Sequence, residues 1–332
     1  MSEPAMMGSR SDVAGAERRL AARAARMYYT EDKSKVTIAA ELGLSRFKVA
    51  RLLGRARAEG LVTVTVRDPD LLDHELSDRL AAVLGIRRVL VADAPEPQHW
   101  LEAVAALAAL HLQQIVTRDS VLGIAWSRAT RALADRLTSL PPCTVVQLCG
   151  VLAQAQGEEH NVELVRKIAQ QSGGAAFTFY APLVLPDAVT ARTLRAQPGI
   201  ADALSECAHV SVAVIAVGQW QAGASTVFDA LSMGEARSFT DRGVVAESAG
   251  MLFDAQGRLI DEGFVGRVVA ITQPQLRKVH EVVALATEPD RVSAIRAICR
   301  SGLISTLVTH RAVAEAVLAT NPKHTDRHAS HA

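Results

Sequence analysis

The sequence predicts an α/β chain in two parts: a small all-α winged helix-turn-helix head and a larger Rossmann-like domain. Three observations carry that expectation. Within the first 67 residues, two short amphipathic helical stretches flank a Leu-Gly-Leu turn, and the second is rich in arginine. From residue 88 onward, short β-branched runs alternate with helical periodicity, the pattern of a mostly parallel sheet covered on both faces. Charge divides at the same place. Residues 1–67 carry 13 Lys and Arg against 7 Asp and Glu, whereas the whole chain carries 36 against 35. A basic head on a mildly acidic body is expected to meet a polyanion.

Composition excludes several classes. With 332 residues, 49% apolar and 21% charged, the chain is long enough for two domains and too apolar to stay disordered. No apolar run reaches the roughly 18 residues a membrane span needs, and the longest strand-like run is 210–217. Residues 1–26 mix alanine with arginine and contain no continuous apolar stretch, so no secretory signal is expected. The four cysteines, Cys143, Cys149, Cys207 and Cys299, fall at no metal-ligand spacing and are too few for a disulfide scaffold. The expectation is a cytoplasmic chain without metal or cofactor.

In the head, residues 1–17 are expected to be disordered. Residues 19–29 form a helix with Leu20, Ala24 and Met27 on one face. After a polar break, residues 35–41 form a second, with Val36, Ile38 and Ala39 partly inward. Gly43 supplies the turn, and Ser45 has the chemistry of an N-cap for a third helix over 46–59. Gly60 ends it, and 61–66 alternates like the strand of a wing. On a helical wheel, Val49, Leu52, Leu53 and Ala56 of the third helix cluster inward. Phe47, Arg51, Gly54 and Ala58 point away. An exposed Phe among cations suits a major groove, with Phe47 on a thymine methyl and Arg51 on a guanine edge. Lys48 and Arg55 are better placed for phosphates. The plainer alternative is a three-helix packing module with a basic surface.

The stretch Ile38-Ala39-Ala40-Glu41-Leu42-Gly43-Leu44-Ser45-Arg46, followed by Val49-Ala50-Arg51-Leu52-Leu53 and Glu59-Gly60-Leu61-Val62, resembles the DNA-binding head of the SorC family. These are bacterial sugar-responsive transcriptional regulators. Where the family opens its second helix with Thr-Gln, Ser34-Lys35 stands here and adds a positive charge near the DNA backbone. The expected DNA-facing set is Lys35, Ser45, Arg46, Phe47, Lys48, Arg51 and Arg55, on double-stranded operator DNA.

Residues 71–84 carry a leucine stripe on a helix. Strands are expected at 88–91, 121–124, 144–148, 176–180, 210–217, 282–286 and 305–309. Helices are expected at 99–117, 128–139, 161–172, 188–206, 291–301 and 311–320. Ligands of such sheets bind beyond the carboxyl ends of the strands. Four strand-end segments have suitable chemistry. Gly123 to Arg128 opens a helix, offering backbone N–H groups, a hydroxyl and a guanidinium to a phosphate. The other three are the Gln- and Glu-rich loop ending at Asn161, then Gly218-Gln219-Trp220, then Thr287-Glu288-Pro289-Asp290-Arg291. Each has a duller reading, with Trp126 capping the core, Asn161 a structural cap and Arg291 a surface charge.

The resemblance continues over residues 18–320. Gly123-Ile124-Ala125-Trp126 is similar to the family's Gly-x-Ser-Trp-Gly-x-Thr loop, Ala181-Pro182 to its Ala-Pro, and Gly250-Met251-Leu252-Phe253-Asp254 to its Gly-x-Phe-Phe-Asp segment. It implies a domain folded like ribose-5-phosphate isomerase and glucosamine-6-phosphate deaminase, a bound sugar that is often phosphorylated, and a homo-oligomer, dimer or tetramer. The effector set it implies, with the loops above, is Trp126, Ser127, Arg128, Asn161, Gly218, Gln219, Glu247 and Arg291. Four departures stand out: Ala129 for the loop threonine, Ser127 for its second glycine, Glu247 for Asp and Arg291 for Lys. Thr287 also replaces a glycine, so a different phosphosugar or an unphosphorylated sugar or polyol is open.

The competing expectation is an isomerase- or deaminase-like enzyme carrying a DNA-binding head. Such chemistry needs a positioned base with a relay partner. The candidates are Glu158, Glu159, His160, Glu247 and His280. The first three are consecutive, so their side chains diverge, and no partner for Glu247 is identifiable in the sequence. No nucleophile-elbow, zinc or Walker pattern occurs. The tail from Asn321, with His324, His328 and His331, is expected to be disordered and not a metal site.

Overall fold

The computed structural model describes residues 9–31, 33–62, 72–151 and 161–320. Several sequence expectations fall outside them: residues 1–8 of the stretch expected to be disordered, the wing beyond Val62, the Glu158-Glu159-His160 run and the tail from Asn321. The chain divides into two units, Met1–Asp68 and Pro69–Ala332.

The first unit contains helices α1 (Ser9–Tyr29), α2 (Lys35–Leu42) and α3 (Arg46–Ala58). Helix α1 starts at Ser9, ten residues before Arg19 and inside the stretch expected to be disordered. Ala, Glu and Arg there favour helix, and Glu17 ties the added turns to Lys48 and Arg55 of α3. Ser34 caps α2 by accepting from the Thr37 N–H, and Gly43 ends it at φ 66°, a left-handed conformation that suits glycine. Alanines 21, 24 and 25 let α1 approach Val49, Leu52, Leu53 and Ala56 of α3, with Ile38 and Ala39 closing the core. Val36, expected partly inward, is exposed, because it sits about 200° around α2 from Ile38.

In the second unit the strands are β1 (Arg88–Ala92), β2 (Val121–Ile124), β3 (Thr144–Gln147), β4 (Ala176–Phe177), β5 (Val212–Ala216), β6 (Gly218–Gln219), β7 (Val244–Ser248), β8 (Met251–Asp254), β9 (Glu281–Leu285) and β10 (Thr306–His310). The helices are α4 (His74–Leu84), α5 (Trp100–Ile115), α6 (Arg128–Arg136), α7 (Asn161–Ser172), α8 (Ala188–Arg195), α9 (Pro198–Glu206), α10 (Thr226–Ala230), α11 (Met233–Asp241), α12 (Gln273–Leu276), α13 (Val292–Arg300) and α14 (Arg311–Ala319). Seven strands form one all-parallel sheet in the order β1-β10-β9-β5-β2-β3-β4.

Alternate residues of its central strands serve opposite cores. Val212 and Val214 of β5, with Val283 and Leu285 of β9, face the core shared with α5, α6 and α7. Ala213, Ile215, Val282 and Ala284 face the core shared with α4, α13 and α14. Burial on both faces is why these strands appear in the sequence as unbroken apolar runs.

Helices α10, α11 and α12 match no expected helix, the strand expected at 176–180 covers only 176–177, and two further features depart from expectation. The single helix expected at 188–206 is two, because Pro198 lacks an amide donor and starts α9 instead of continuing α8. A three-stranded antiparallel sheet, β6-β7-β8, was not foreseen. Its hairpin turns on Ala249 and Gly250, both at positive φ, the condition of a type I′ turn. Ala-Gly lacks the Asn-Gly or Asp-Gly signature that marks such turns in sequence.

Candidate ligand pocket and nucleic-acid interface

Strands β9, β5 and β2 are neighbours, and after β2 the chain leaves for β3 on one side before β5 returns on the other. Their carboxyl-end loops therefore meet at the reversal of strand order, where open α/β sheets bind ligands. Residues 125–129, 149–151 and 216–218, with Thr287, Glu288 and Arg291, line one cavity of about 370 Å³ there. The unforeseen small sheet supplies another wall through Glu247, Ala249 and Gly250, and the segment carrying Ser225 and Asp229 closes it.

Glu247 is buried at the back of this cavity. Its Oε1 accepts from the Gly250 N–H at 2.8 Å, so the side chain also pins the hairpin turn. Among the described residues its Oε2 receives only the Ser225 hydroxyl, at 3.4 Å. Burial drives its pKa up from 4.5 to about 7, against the opposing pull of those two donors and the Arg291 charge. Arg291 donates from Nη1 to the Val217 carbonyl at 2.8 Å. Its Nε lies 3.2 Å from Glu288 Oε2, yet this buried N–H completes no hydrogen bond.

At the mouth, Arg128 Nη2 stands 3.4 Å from the other oxygen of Glu288. Ser127 caps α6 in a capping box: its hydroxyl accepts from the Thr130 N–H, and the Thr130 hydroxyl accepts from the Ser127 N–H. Half of the N–H cradle expected there is thus already satisfied. The Thr287 loop is held from below. His310 Nε2 lies 2.7 Å from the Thr287 carbonyl, and Trp100 stacks on the ring at 4.2 Å. Burial lowers the His310 pKa, so the ring is neutral and donates to that carbonyl.

Of the effector residues expected from sequence, Trp126, Ser127, Arg128, Gly218, Glu247 and Arg291 come together on this cavity. Gln219 does not line it; its amide donates to Gln221 and its Oε1 is buried without a partner. Asn161 opens α7, adjoining a loop outside the described residues. Trp126 also packs on the core beneath it. His280 precedes β9 and so lies at the opposite end of the sheet. Sequence reasoning missed Ser225 and Asp229, which carry no local signal; Glu288 stood in a chosen strand-end segment without a role, although its i, i+3 spacing to Arg291 was visible. No group of three or more His, Cys, Asp or Glu able to hold a metal exists among the described residues.

In the first unit, Ser45 spends its hydroxyl capping α3, accepting from the Lys48 N–H at 3.2 Å. Phe47 is 79% exposed, with Arg46 and Arg51 exposed beside it. Lys48 and Arg55 lie on another flank, where both pair with Glu17 of α1, and Arg55 also pairs with Glu59. Those pairs hold the Glu17 carboxyl below its usual range, led by the Lys48 hydrogen bond. Among the described residues of α3, the cations without an ion pair are Arg46, Arg51 and Arg57. Arg57 had been given no role from sequence. Lys35 stands 5.6 Å over the Tyr28 ring.

Residues 71–319 match the Sugar-bind family, described as "Putative sugar-binding domain", which spans most of the second unit. The chain belongs to the SorC family of sugar-binding transcriptional regulators. Similarity to SorC-family proteins extends beyond that domain. The Erythritol catabolism regulatory protein EryD of Brucella abortus is 27% identical over 92% of this chain and 98% of its own. The Sorbitol operon regulator of Klebsiella pneumoniae is 24% identical over 90% and 98%. The crystal structure of the full-length regulator SorC from Klebsiella pneumoniae superposes with a TM-score of 0.74, covering 90% of this chain and 98% of that one at 22% identity. That likeness establishes the SorC fold over nearly the whole chain. No described helix is long and apolar enough to cross a membrane.

Proposed function

We propose that this chain is a cytoplasmic DNA-binding transcriptional regulator whose operator affinity is set by a sugar, sugar phosphate or polyol held in the second unit. The observation that carries the reading is the convergence of four strand-end segments on one cavity, with Glu247 and Arg291 both reaching it. The names of the relatives, a regulator of erythritol catabolism and a sorbitol operon regulator, support a polyhydroxy effector.

The same reading includes a wing after α3 and a larger domain related to ribose-5-phosphate isomerase and glucosamine-6-phosphate deaminase. It also includes a homo-oligomer on a pseudo-palindromic operator, with two-fold symmetry matching half-sites. Phe47 and Arg51 read bases, Arg46 and Arg57 meet the backbone, and Lys48 and Arg55 act partly through Glu17, which orients α3. The pocket works by differential affinity for DNA-competent and incompetent states, not by catalysis. Glu247 supports this: among the described residues its hydrogen-bond partners are an amide N–H and a hydroxyl, neither of them an acid or base that could relay a proton.

The test is a gel shift with DNA from upstream of the chain's own gene, titrated with free and phosphorylated sugars and polyols. Arg291→Ala is expected to abolish the ligand response with operator affinity nearly unchanged. Arg51→Ala is expected to cost about 1–3 kcal/mol on the operator and much less on random DNA. A compound that is consumed without altering the shift would overturn the reading in favour of an enzyme.

A further inference from the structure

Among the described residues two cations line the cavity, Arg128 and Arg291, and both face a single carboxylate of the same wall. Glu288 presents Oε1 to Arg128 Nη2 at 3.4 Å and Oε2 to Arg291 Nε at 3.2 Å, while the Thr287 hydroxyl donates to Oε2 at 2.8 Å. The arrangement is built into the loop. Pro289 biases its predecessor to extended backbone, and Glu288 adopts φ −111° and ψ 126°, which leaves its side chain one 3₁₀ turn before Arg291.

We propose that Glu288 is a resident anion that occupies the place of a ligand phosphate, so the pocket takes an uncharged polyhydroxy compound. This rests on the cavity being the effector site. Three further observations support it. Glu247 and Asp229 also line the cavity, so three carboxyl groups surround two guanidinium groups. A phosphate ester would bring between one and two further negative charges into that enclosure. At the mouth, the capping box already partners the Ser127 and Thr130 N–H groups that would cradle an anion. What remains open deeper in the pocket suits hydroxyls. The Arg291 Nε–H is buried and lacks an acceptor, and Glu247 Oε2 has only a long bond to Ser225. A neutral hydroxyl can accept from the first and donate to the second.

The experiment uses the full chain and isothermal titration with inorganic phosphate, with erythritol and sorbitol, and with their monophosphate esters. Wild type is expected to bind a free polyol and not phosphate. Glu288→Gln is expected to gain about tenfold or more in affinity for inorganic phosphate, because two arginines lose their counter-charge. Adding Arg128→Ala should erase most of that gain. Should Glu288→Gln fail to fold by circular dichroism, Glu288→Ala carries the same expectation. Tighter binding of phosphate esters than of parent polyols by wild type would overturn the inference, as would no gain in a folded Glu288 variant. If phosphate esters alter operator binding and Arg291→Ala stops them, the inference alone falls. A polyol response that survives Arg291→Ala overturns the pocket reading, and the inference falls with it.

Discussion

At the amino-terminal edge of the parallel sheet, Glu281 starts β9; at the carboxyl edge, Glu247 backs the cavity. Both side chains are buried. Glu281 receives the Thr306 hydroxyl on Oε1 and the Arg87 guanidinium on Oε2 at 3.2 Å, with His111 3.9 Å away. Burial pushes its pKa up, but the Thr306 and Ser305 hydroxyls, then the charges of Arg87 and His111, outweigh it and hold the group below 4.5. Glu247 receives one N–H and one distant hydroxyl, and burial wins, to about 7. Both are nearly closed to solvent, but Glu247 is the more deeply enclosed and has the fewer donors, which separates a finished structural cluster from a site still short of donors. The missing donors at Glu247 are what a ligand can bring.

The largest expected effect tests the finished cluster. Glu281→Ala is expected to destabilise the fold by about 2 kcal/mol, since it strands the buried Thr306 hydroxyl and empties a buried place at the sheet edge. Urea denaturation measures it, and a loss below about 1 kcal/mol would erase the contrast.

The next effect concerns pH. Between pH 4.5 and about 7 the folded chain keeps the Glu247 proton that the unfolded chain has released. Its contribution is therefore full below 4.5 and declines as pH rises, by at most about 1.4 kcal/mol per unit until 7. Glu247→Gln should flatten that decline in thermal-melt profiles. Glu281 has the opposite sign: its contribution is present above 4.5 and is lost as pH falls through its lowered folded value. Glu281→Gln should leave the slope between 5 and 7 intact. Equal flattening by both variants would break the distinction.

The smallest effect sharpens it. The Arg87 side chain is 51% exposed, so Arg87→Ala is expected to cost only about 0.5 kcal/mol. A cost nearer that of Glu281→Ala would assign the cluster's stability to the ion pair and not to the Thr306 hydroxyl.

Much of this was legible in the chain. The inward stripe Val49, Leu52, Leu53 and Ala56 and the exposed Phe47 follow from a 100° wheel. The strand runs at 121–124 and 144–148 needed only β-branched composition between turns. Described residues from all four strand-end loops proposed as ligand contacts meet at the cavity, Gly150 and Val151 standing for the loop that ends at Asn161, because the carboxyl ends of parallel strands share one sheet edge. The rest was hidden for definite reasons. The antiparallel sheet rests on a two-residue strand and an Ala-Gly turn. Glu17 reaches Lys48 and Arg55 across more than thirty residues, and nothing near it in sequence announces the pairing.

The sequence by itself determined where helices and strands form, which faces of them turn inward and that a basic helix ends its turn with Phe and Arg exposed. Those are local properties, set by periodicity, capping and the handedness of glycine turns. Tertiary structure decided which side chains share an environment. The order β9-β5-β2 and the unforeseen hairpin bring Ser127, Gly218, Glu247 and Glu288 to one cavity from across more than 150 residues. Burial and partners, assigned only by that packing, then made one glutamate a fixed anion, another a proton-holding acceptor and a third the counter-charge of two arginines.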